Sequence, residues 1–334
     1  MIPQTLSRLQ PPAWQAALRD AISDPVELLR VLELEPDDDT LRGAQAFPLR
    51  VPRGFVARMR KGDPDDPLLL QVLPLRQELA EATGFSRDAV GDLDTARAGG
   101  ILHKYQGRAL LIATGACAVH CRYCFRRHFP YDELNASRNA WRDTLDTLAA
   151  DTSIEEVILS GGDPLSLSDR RLAELAEALD KLAHLKRLRV HTRLPIVLPE
   201  RVDAALMAWL AHGRLQRVVV VHANHAQEID GHVETALRTL ADSGITLLNQ
   251  SVLLRHINDN PQILADLSER LFECRVMPYY LHLLDRVQGA AHFEVHEGDA
   301  VCIMRELASR LPGYLVPRLV REVAGQPNKL PVAW

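Results

Sequence analysis

The chain has 334 residues, 47% hydrophobic and 25% charged, with 39 Lys plus Arg against 44 Asp plus Glu and a formal net charge of −5. This composition excludes disordered and fibrous chains, and its slight acidity argues against a protein whose main role is to clamp nucleic acid. Length predicts two domains, or one large α/β domain with appendages. Residues 1–8 lack the charged and apolar segments of a secretory signal, and the apolar run 68–75 is cut by Gln71 and Pro74. Neither a signal nor a membrane span is expected, so the chain reads as cytoplasmic.

Residues 1–95 lack strand-like runs and show helical spacing at Trp14, Leu18 and Ile22, then at Val26, Leu29, Val31 and Leu32. Pro-rich and Asp-rich breaks follow at 35–39 and 61–67, which predicts a small N-terminal helical domain over 1–95. From Arg108 a different pattern begins. Short β-branched runs recur at 108–114, 154–160, 186–192, 215–222, 245–250 and 275–282, separated by amphipathic stretches such as 169–184 and 229–243. Six βα units with continuous apolar strands predict an α/β fold with a parallel sheet covered by helices. Six are too few to close an eight-stranded barrel, so a partial, curved (β/α)6 barrel is expected over 96–290. In such sheets function sits at the carboxyl ends of the strands. The polar residues cluster there: Thr114 and Gly115, Ser160 to Asp163, His191 to Arg193, His222 with Asn224 and His225, Asn249 to Ser251, and Asp285.

Five cysteines are an odd number, and three of them, Cys117, Cys121 and Cys124, form C-x-x-x-C-x-x-C on the loop leaving the first strand of the series. That crowding suits a metal or cluster site better than a disulfide framework. Three thiolates on one loop can hold three irons of a four-iron cluster and leave the fourth iron open. The alternative is a zinc site with His120 or His128 as fourth ligand, which would belong to a different class of protein, a zinc-stabilised nucleic-acid-binding module. Spacing alone does not decide between them. Cys274 and Cys302 read as buried strand and helix residues.

The cysteine spacing, with Tyr123 just before the last cysteine and the loop at the end of the first strand of a βα series, resembles the radical S-adenosylmethionine (SAM) enzymes. That resemblance implies that the open iron is chelated by the amino and carboxylate groups of SAM. Ser160-Gly161-Gly162-Asp163 is similar to the segment that meets the methionine amino group. More narrowly, 117–131, 193–199, 249–255 and 278–282 resemble the lysine 2,3-aminomutase family, in order and at consistent spacing over roughly 52–331. Segments 63–68, 102–105 and 313–317 are similar to members that supply (R)-β-lysine for modification of elongation factor P.

The resemblance implies a [4Fe-4S] cluster on Cys117, Cys121 and Cys124, and SAM near Tyr123, Ser160, Gly161, Gly162, Asp163, Arg193, His222 and Gln250. It implies pyridoxal phosphate bound through Lys329, the catalytic lysine of the segment 325–329, with Lys104 and Arg108 facing the phosphate. A C-terminal segment, 291–334, would close the site. Arg126 matches the family's arginine for the lysine carboxylate, and Asp285 and Glu322 match its two acids for the distal ammonium. The second acid is usually Asp in stand-alone members, so Glu322 bears on substrate pose and product stereochemistry. Asn260 stands where zinc-binding members have a cysteine. The implied activity is isomerisation of L-α-lysine to β-lysine by 2,3-amino migration, begun by a 5′-deoxyadenosyl radical; a free β-lysine pool or another amino-acid substrate is the alternative. Implied partners are lysine, an electron donor such as flavodoxin or ferredoxin, and, functionally, an elongation factor P lysyltransferase. Neither nucleic acid nor membrane is expected as a partner.

Overall fold

The β-branched runs and the observed strands coincide to within two or three residues at each end. The computed structural model describes residues 12–36, 38–134, 136 and 141–334; residues 1–8, on which the absence of a signal was read, lie outside them. One sheet holds β1 (Ala96–Arg97), β2 (Ile101–Tyr105), β3 (Arg108–Thr114), β4 (Glu156–Gly161), β5 (Arg187–Thr192), β6 (Gln216–Val221), β7 (Thr246–Val252), β8 (Met277–His282), β9 (Arg318–Arg321) and β10 (Leu330–Pro331), in that spatial order. Strands β3 to β9 are parallel, while β1 and β2 at one edge and β10 at the other run antiparallel to their neighbours. No pairing joins β1 to β10 among the described residues, so the sheet is an open, partial barrel. Beyond the six strands expected, β9 adds a short seventh parallel strand, and its hairpin with β10 pairs Arg321 with Leu330.

The helices are α1 (Ala13–Arg19), α2 (Pro25–Val31), α3 (Asp38–Ala46), α4 (Arg53–Val56), α5 (Arg142–Ala150), α6 (Asp169–Asp180), α7 (Leu194–Val197), α8 (Ala204–Leu210), α9 (Gly231–Asp242), α10 (Pro261–Glu273) and α11 (Glu297–Arg310). Three- and four-residue spacing puts one apolar stripe on the sheet: Leu172, Leu175, Ala176 and Leu179 on α6, and Val233, Ala236, Leu237 and Leu240 on α9. Asp230 starts α9 by accepting from the His232 and Val233 N–H groups, and Asn260 starts α10 by accepting from Gln262. Under the helices a row of paired residues, Leu111, Leu159, Val190, Val219 and Leu247, crosses five strands and is buried throughout. Trp14, Ile22, Phe55 and Leu68 of the N-terminal segment belong to the same buried cluster as that row. Two cysteine expectations are corrected. Cys274 is buried but caps the end of α10 rather than lying in a strand. Cys302 is exposed, because α11 buries the stripe Ala300, Met304 and Leu307 instead. No helix among the described residues is long and apolar enough to cross a membrane.

The N-terminal segment clamps the cysteine loop. Arg122 is wholly buried, and its fork meets the buried Glu78 carboxylate at 2.8 and 2.6 Å, while Arg127 reaches the same carboxylate at 2.6 Å. Both guanidinium groups lie over the Phe47 ring, at 4.8 and 4.6 Å. Main-chain bonds finish the clamp, from His120 N–H to the Arg50 carbonyl and from Arg122 N–H to the Gln71 carbonyl. Removing a buried carboxylate from between two guanidinium groups strands both cations, at a cost of about 3–5 kcal/mol. Glu78→Gln should therefore lower the unfolding free energy of the iron-free protein by that amount in urea denaturation. The exposed Glu81→Gln should change it by no more than about 0.5 kcal/mol. Equal effects would show that the clamp does not hold the loop.

Candidate active site

At the carboxyl ends of the parallel strands the sheet opens on a cavity of about 340 Å³, and every residue that the resemblance assigns to the cluster, SAM, pyridoxal phosphate or lysine lines it, whereas Thr114, Gly115, His120, His128, Asn224, His225 and Asn249 lie outside the lining. The cavity has a thiol end and a charged end.

Cys117, Cys121 and Cys124 leave β3 half-buried and without disulfides. Burial, then the neighbouring thiols, pushes Cys117 up, and burial holds Cys124 at about 11. Losing these protons calls for the charge of a metal centre. No three His, Cys, Asp or Glu side chains among the described residues converge on a single-ion position. A four-iron cluster needs no such convergence, since each thiolate takes its own iron. The zinc reading does need a fourth ligand beside the cysteines; each candidate histidine has one ring nitrogen on a backbone carbonyl, His120 on Pro48 at 2.9 Å and His128 on Gln288 at 3.1 Å, and neither joins the cysteines in a metal-binding group among the described residues.

The end of β4 runs hard against this loop. Gly161 has φ +112°, and a Cβ there would stand 2.6 Å from the Thr114 carbonyl oxygen; one on Gly162 would stand 2.5 Å from that of Ala116. Only glycine fits either place. Asp163 accepts from the Thr192 hydroxyl at 2.7 Å and from the Arg193, Leu194 and Leu165 N–H groups at 2.7, 3.1 and 3.1 Å. Its carboxylate, raised by burial to about 6, is thus turned into the protein, where it ties the turns after β4 and β5 together. Arg193 donates from Nη1 to Cys121 Sγ at 2.8 Å and from Nη2 to Gln71 Oε1 at 2.6 Å and Glu228 Oε2 at 2.9 Å. Its Nε is buried without a partner. Asn224 donates to the Tyr123 hydroxyl at 2.7 Å. Gln250 is buried in the wall, and His222 is kept neutral, at about 4, by burial and then by the charge of Arg193. His191 and His282 also line the cavity, and Nε2 of each is buried without a partner.

At the other end, five charges alternate. Arg126 donates from Nε to Asp92 at 2.7 Å and from Nη1 to the Ser160 hydroxyl at 3.0 Å. Lys104 bridges Asp92 at 2.6 Å and Glu322 at 3.1 Å and gives its remaining donor to the Val90 carbonyl at 2.8 Å. Lys329 meets the other oxygen of Glu322. The β9–β10 hairpin brings Glu322 and Lys329 face to face, since they adjoin the paired Arg321 and Leu330. Burial raises the Glu322 carboxyl, but Lys329 and Lys104 outweigh it and bring it to about 2. Asp285 behaves oppositely: burial, then the charge of Glu322, lifts it to about 7, and its carboxylate has no hydrogen bond or ion pair among the described residues. Arg108, over the Tyr105 ring at 4.6 Å, likewise has no acid partner there.

Sequence reasoning missed Asp92, Gln71 and Glu228 as site residues. For Gln71 a signal existed, because an amide interrupting an apolar run is the mark of a buried polar group that needs partners. Glu228 follows the strand-end residues of β6, but Asp92 lies in a polar loop with nothing to set it apart.

The sequence profile of the Radical SAM superfamily matches residues 111–267. The chain is 51% identical over 322 residues to the L-lysine 2,3-aminomutase of Escherichia coli strain K12, covering 96% of this chain and 94% of that protein. It is 49% identical over 318 residues to the enzyme of that name from Haemophilus influenzae, with coverage of 95% and 94%. Against the L-lysine 2,3-aminomutase of Clostridium subterminale it is 30% identical over 330 residues, covering 96% of this chain and 77% of that one. The chain therefore belongs to the L-lysine 2,3-aminomutase family within the radical SAM superfamily, isomerases that work with a [4Fe-4S] cluster, SAM and pyridoxal phosphate.

Proposed function

We propose that this chain converts L-α-lysine to (R)-β-lysine by moving the amino group from carbon 2 to carbon 3, and that the product serves the modification of elongation factor P. The observation that carries the reading is a single cavity with three cysteines at one end and, at the other, an alternating charge chain beside one unpaired acid. In this reading Cys117, Cys121 and Cys124 hold the cluster, and Tyr123, Ser160, Gly161, Gly162, Asp163, Arg193, His222 and Gln250 form the SAM wall. Asp163 contributes there by shaping the wall, and Arg193 by its contact with Cys121. When bound, the cluster with SAM supplies radical hydrogen abstraction, and pyridoxal phosphate supplies the electron sink for the migrating nitrogen.

The protein's own residues bind, orient and exclude water. Arg126 takes the lysine carboxylate with a planar fork that Asp92 and Ser160 already hold in place. Asp285 takes the distal ammonium, with Glu322 as second acid. Lys329 binds the pyridoxal, for which its Nζ must leave Glu322 and lose a proton. Arg108 faces the phosphate, and Lys104 joins it by releasing Asp92 or Glu322. The chain then divides at 95 and 290 by what the described residues of each part do: those before 96 clamp the cysteine loop, 96–290 supply β1 to β8, and 291–334 add β9 and β10 and deliver Glu322 and Lys329. A cytoplasmic setting, a low-potential flavodoxin or ferredoxin as donor, and an elongation factor P lysyltransferase as consumer complete the proposal.

Anaerobic incubation of the reconstituted protein with lysine, SAM, pyridoxal phosphate and dithionite should yield β-lysine of the (R) form by chiral analysis; turnover of another amino acid in its place would overturn the reading. Cys117→Ala, Cys121→Ala or Cys124→Ala should abolish cluster iron, and Cys274→Ala and Cys302→Ala should spare it. Lys329→Ala should lose the borohydride-trappable pyridoxal absorbance while retaining the iron. Asp285 is neutral below about 7 and charged above it. The lysine KM should therefore fall roughly tenfold between pH 6 and 8 as the carboxylate forms. Asp285→Asn should raise KM and flatten that profile, whereas an unchanged profile would remove Asp285 from lysine binding.

A further inference from the structure

Arg193 leaves β5 toward the cysteine loop and arrives in a cage. Its Nη1 points at Cys121 Sγ, 2.8 Å away, and its Nη2 is held by Gln71 at 2.6 Å and Glu228 at 2.9 Å. The Phe55 and Tyr123 ring centroids lie 5.5 and 5.7 Å from the guanidinium carbon. Glu228 is fixed as firmly, because its other oxygen accepts from the Asn224 and His225 N–H groups at 2.8 and 3.1 Å and from the Gln71 amide at 3.1 Å. Arg193 and Glu228 are both buried, so water screens neither charge.

A cation aimed at a cluster thiolate favours the reduced, more negative cluster, and so does an N–H···S hydrogen bond. A carboxylate behind that cation opposes it. We propose that Arg193 and Glu228 form an opposed charge pair that sets the reduction potential of the cluster through Cys121 Sγ. The inference rests on the proposed cluster at Cys117, Cys121 and Cys124. Both residues act through the cysteine and are positioning residues. The redox step is the transfer of one electron from a low-potential one-electron donor to the oxidised cluster. No protein bond forms or breaks in it, and the pair shifts only the equilibrium.

The test is an EPR-monitored redox titration with dithionite on the reconstituted full-length chain, without SAM or lysine. Arg193→Gln should lower the midpoint potential and Glu228→Gln should raise it, each by about tenfold in the reduction equilibrium, or about 59 mV for one electron. The double variant should fall between the two, and Arg193→Lys should fall between the parent and Arg193→Gln. A merely structural pair would leave these potentials together, and unmoved potentials, or single variants that shift in the same direction, overturn the inference. If Arg193→Gln fails to keep its iron, the isosteric Glu228→Gln decides alone, and an unchanged or lowered potential overturns the inference. A parent chain that takes up no four-iron cluster overturns the functional reading and this inference with it. A loaded cluster with unmoved potentials overturns this inference only.

Discussion

Charge buried at the mouth of the sheet must be neutralised where it stands, and this requirement organises the molecule. The desolvation cost of an unmatched ion is several kcal/mol even after relaxation. Of the cations at the mouth, Arg122 and Arg127 share Glu78, Arg193 has Glu228, and Arg126, Lys104 and Lys329 alternate with Asp92 and Glu322, while Arg108 has no acid partner among the described residues. Asp163 has no cation either, but a hydroxyl and three N–H groups meet it, whereas the Asp285 carboxylate has no hydrogen bond or ion pair among the described residues. Burial, then the charge of Glu322, lifts its carboxyl to about 7 against the charges of Lys329 and Lys104, and in the proposed function it receives the ammonium that lysine would bring. In the proposed function, selectivity for a cationic side chain rests on this acid rather than on the number of acids present.

The same requirement explains why the N-terminal segment cannot be separated from the chemistry proposed for the barrel. A loop carrying three cysteines has an irregular backbone whose N–H groups need acceptors, and no neighbouring strand supplies them. Residues 47–78 do, through the Arg50 and Gln71 carbonyls, and they add the Glu78 carboxylate and the Phe47 ring. Gln71 serves twice, since its main chain holds the loop and its side chain holds Arg193. Position and electrostatics at the thiol end are thus coupled through one residue.

Much of this was legible in the sequence because continuous apolar runs report buried parallel strands directly, and because the cysteine loop lies at the end of the first of them. The strands β9 and β10 were not legible: four and two residues carry too little periodicity, and their place comes from pairing with β8 and with each other. The neutralising acids were invisible for a different reason. Asp92, Glu78 and Glu228 lie 34, 44 and 35 residues from the arginines they meet, so each reads locally as a solvated carboxylate. Buried ion pairs are products of topology. Cys302 failed in the opposite sense, because composition predicts burial for a cysteine while helix phase on α11 turns it outward.

Topology also gives meaning to the extra methylene of Glu322. The hairpin fixes its main chain beside Lys329, while Lys104 approaches from β2 across the mouth. An aspartate at this position would draw the carboxylate back by about 1.5 Å, one carbon–carbon bond. The glutamate spans both ammonium groups, whose charges outweigh burial and lower its carboxyl to about 2. Held by Lys104 and Lys329, Glu322 is not open to a third cation. It becomes so only when Lys329 is engaged elsewhere, as the proposed function requires of the pyridoxal-bound form. In the proposed function Asp285 would receive the ammonium without displacing a bound cation, whereas Glu322 would do so only once the cofactor has claimed Lys329. Two acids that look equivalent in the sequence would then act in sequence, with the second contact to lysine conditional on a loaded site.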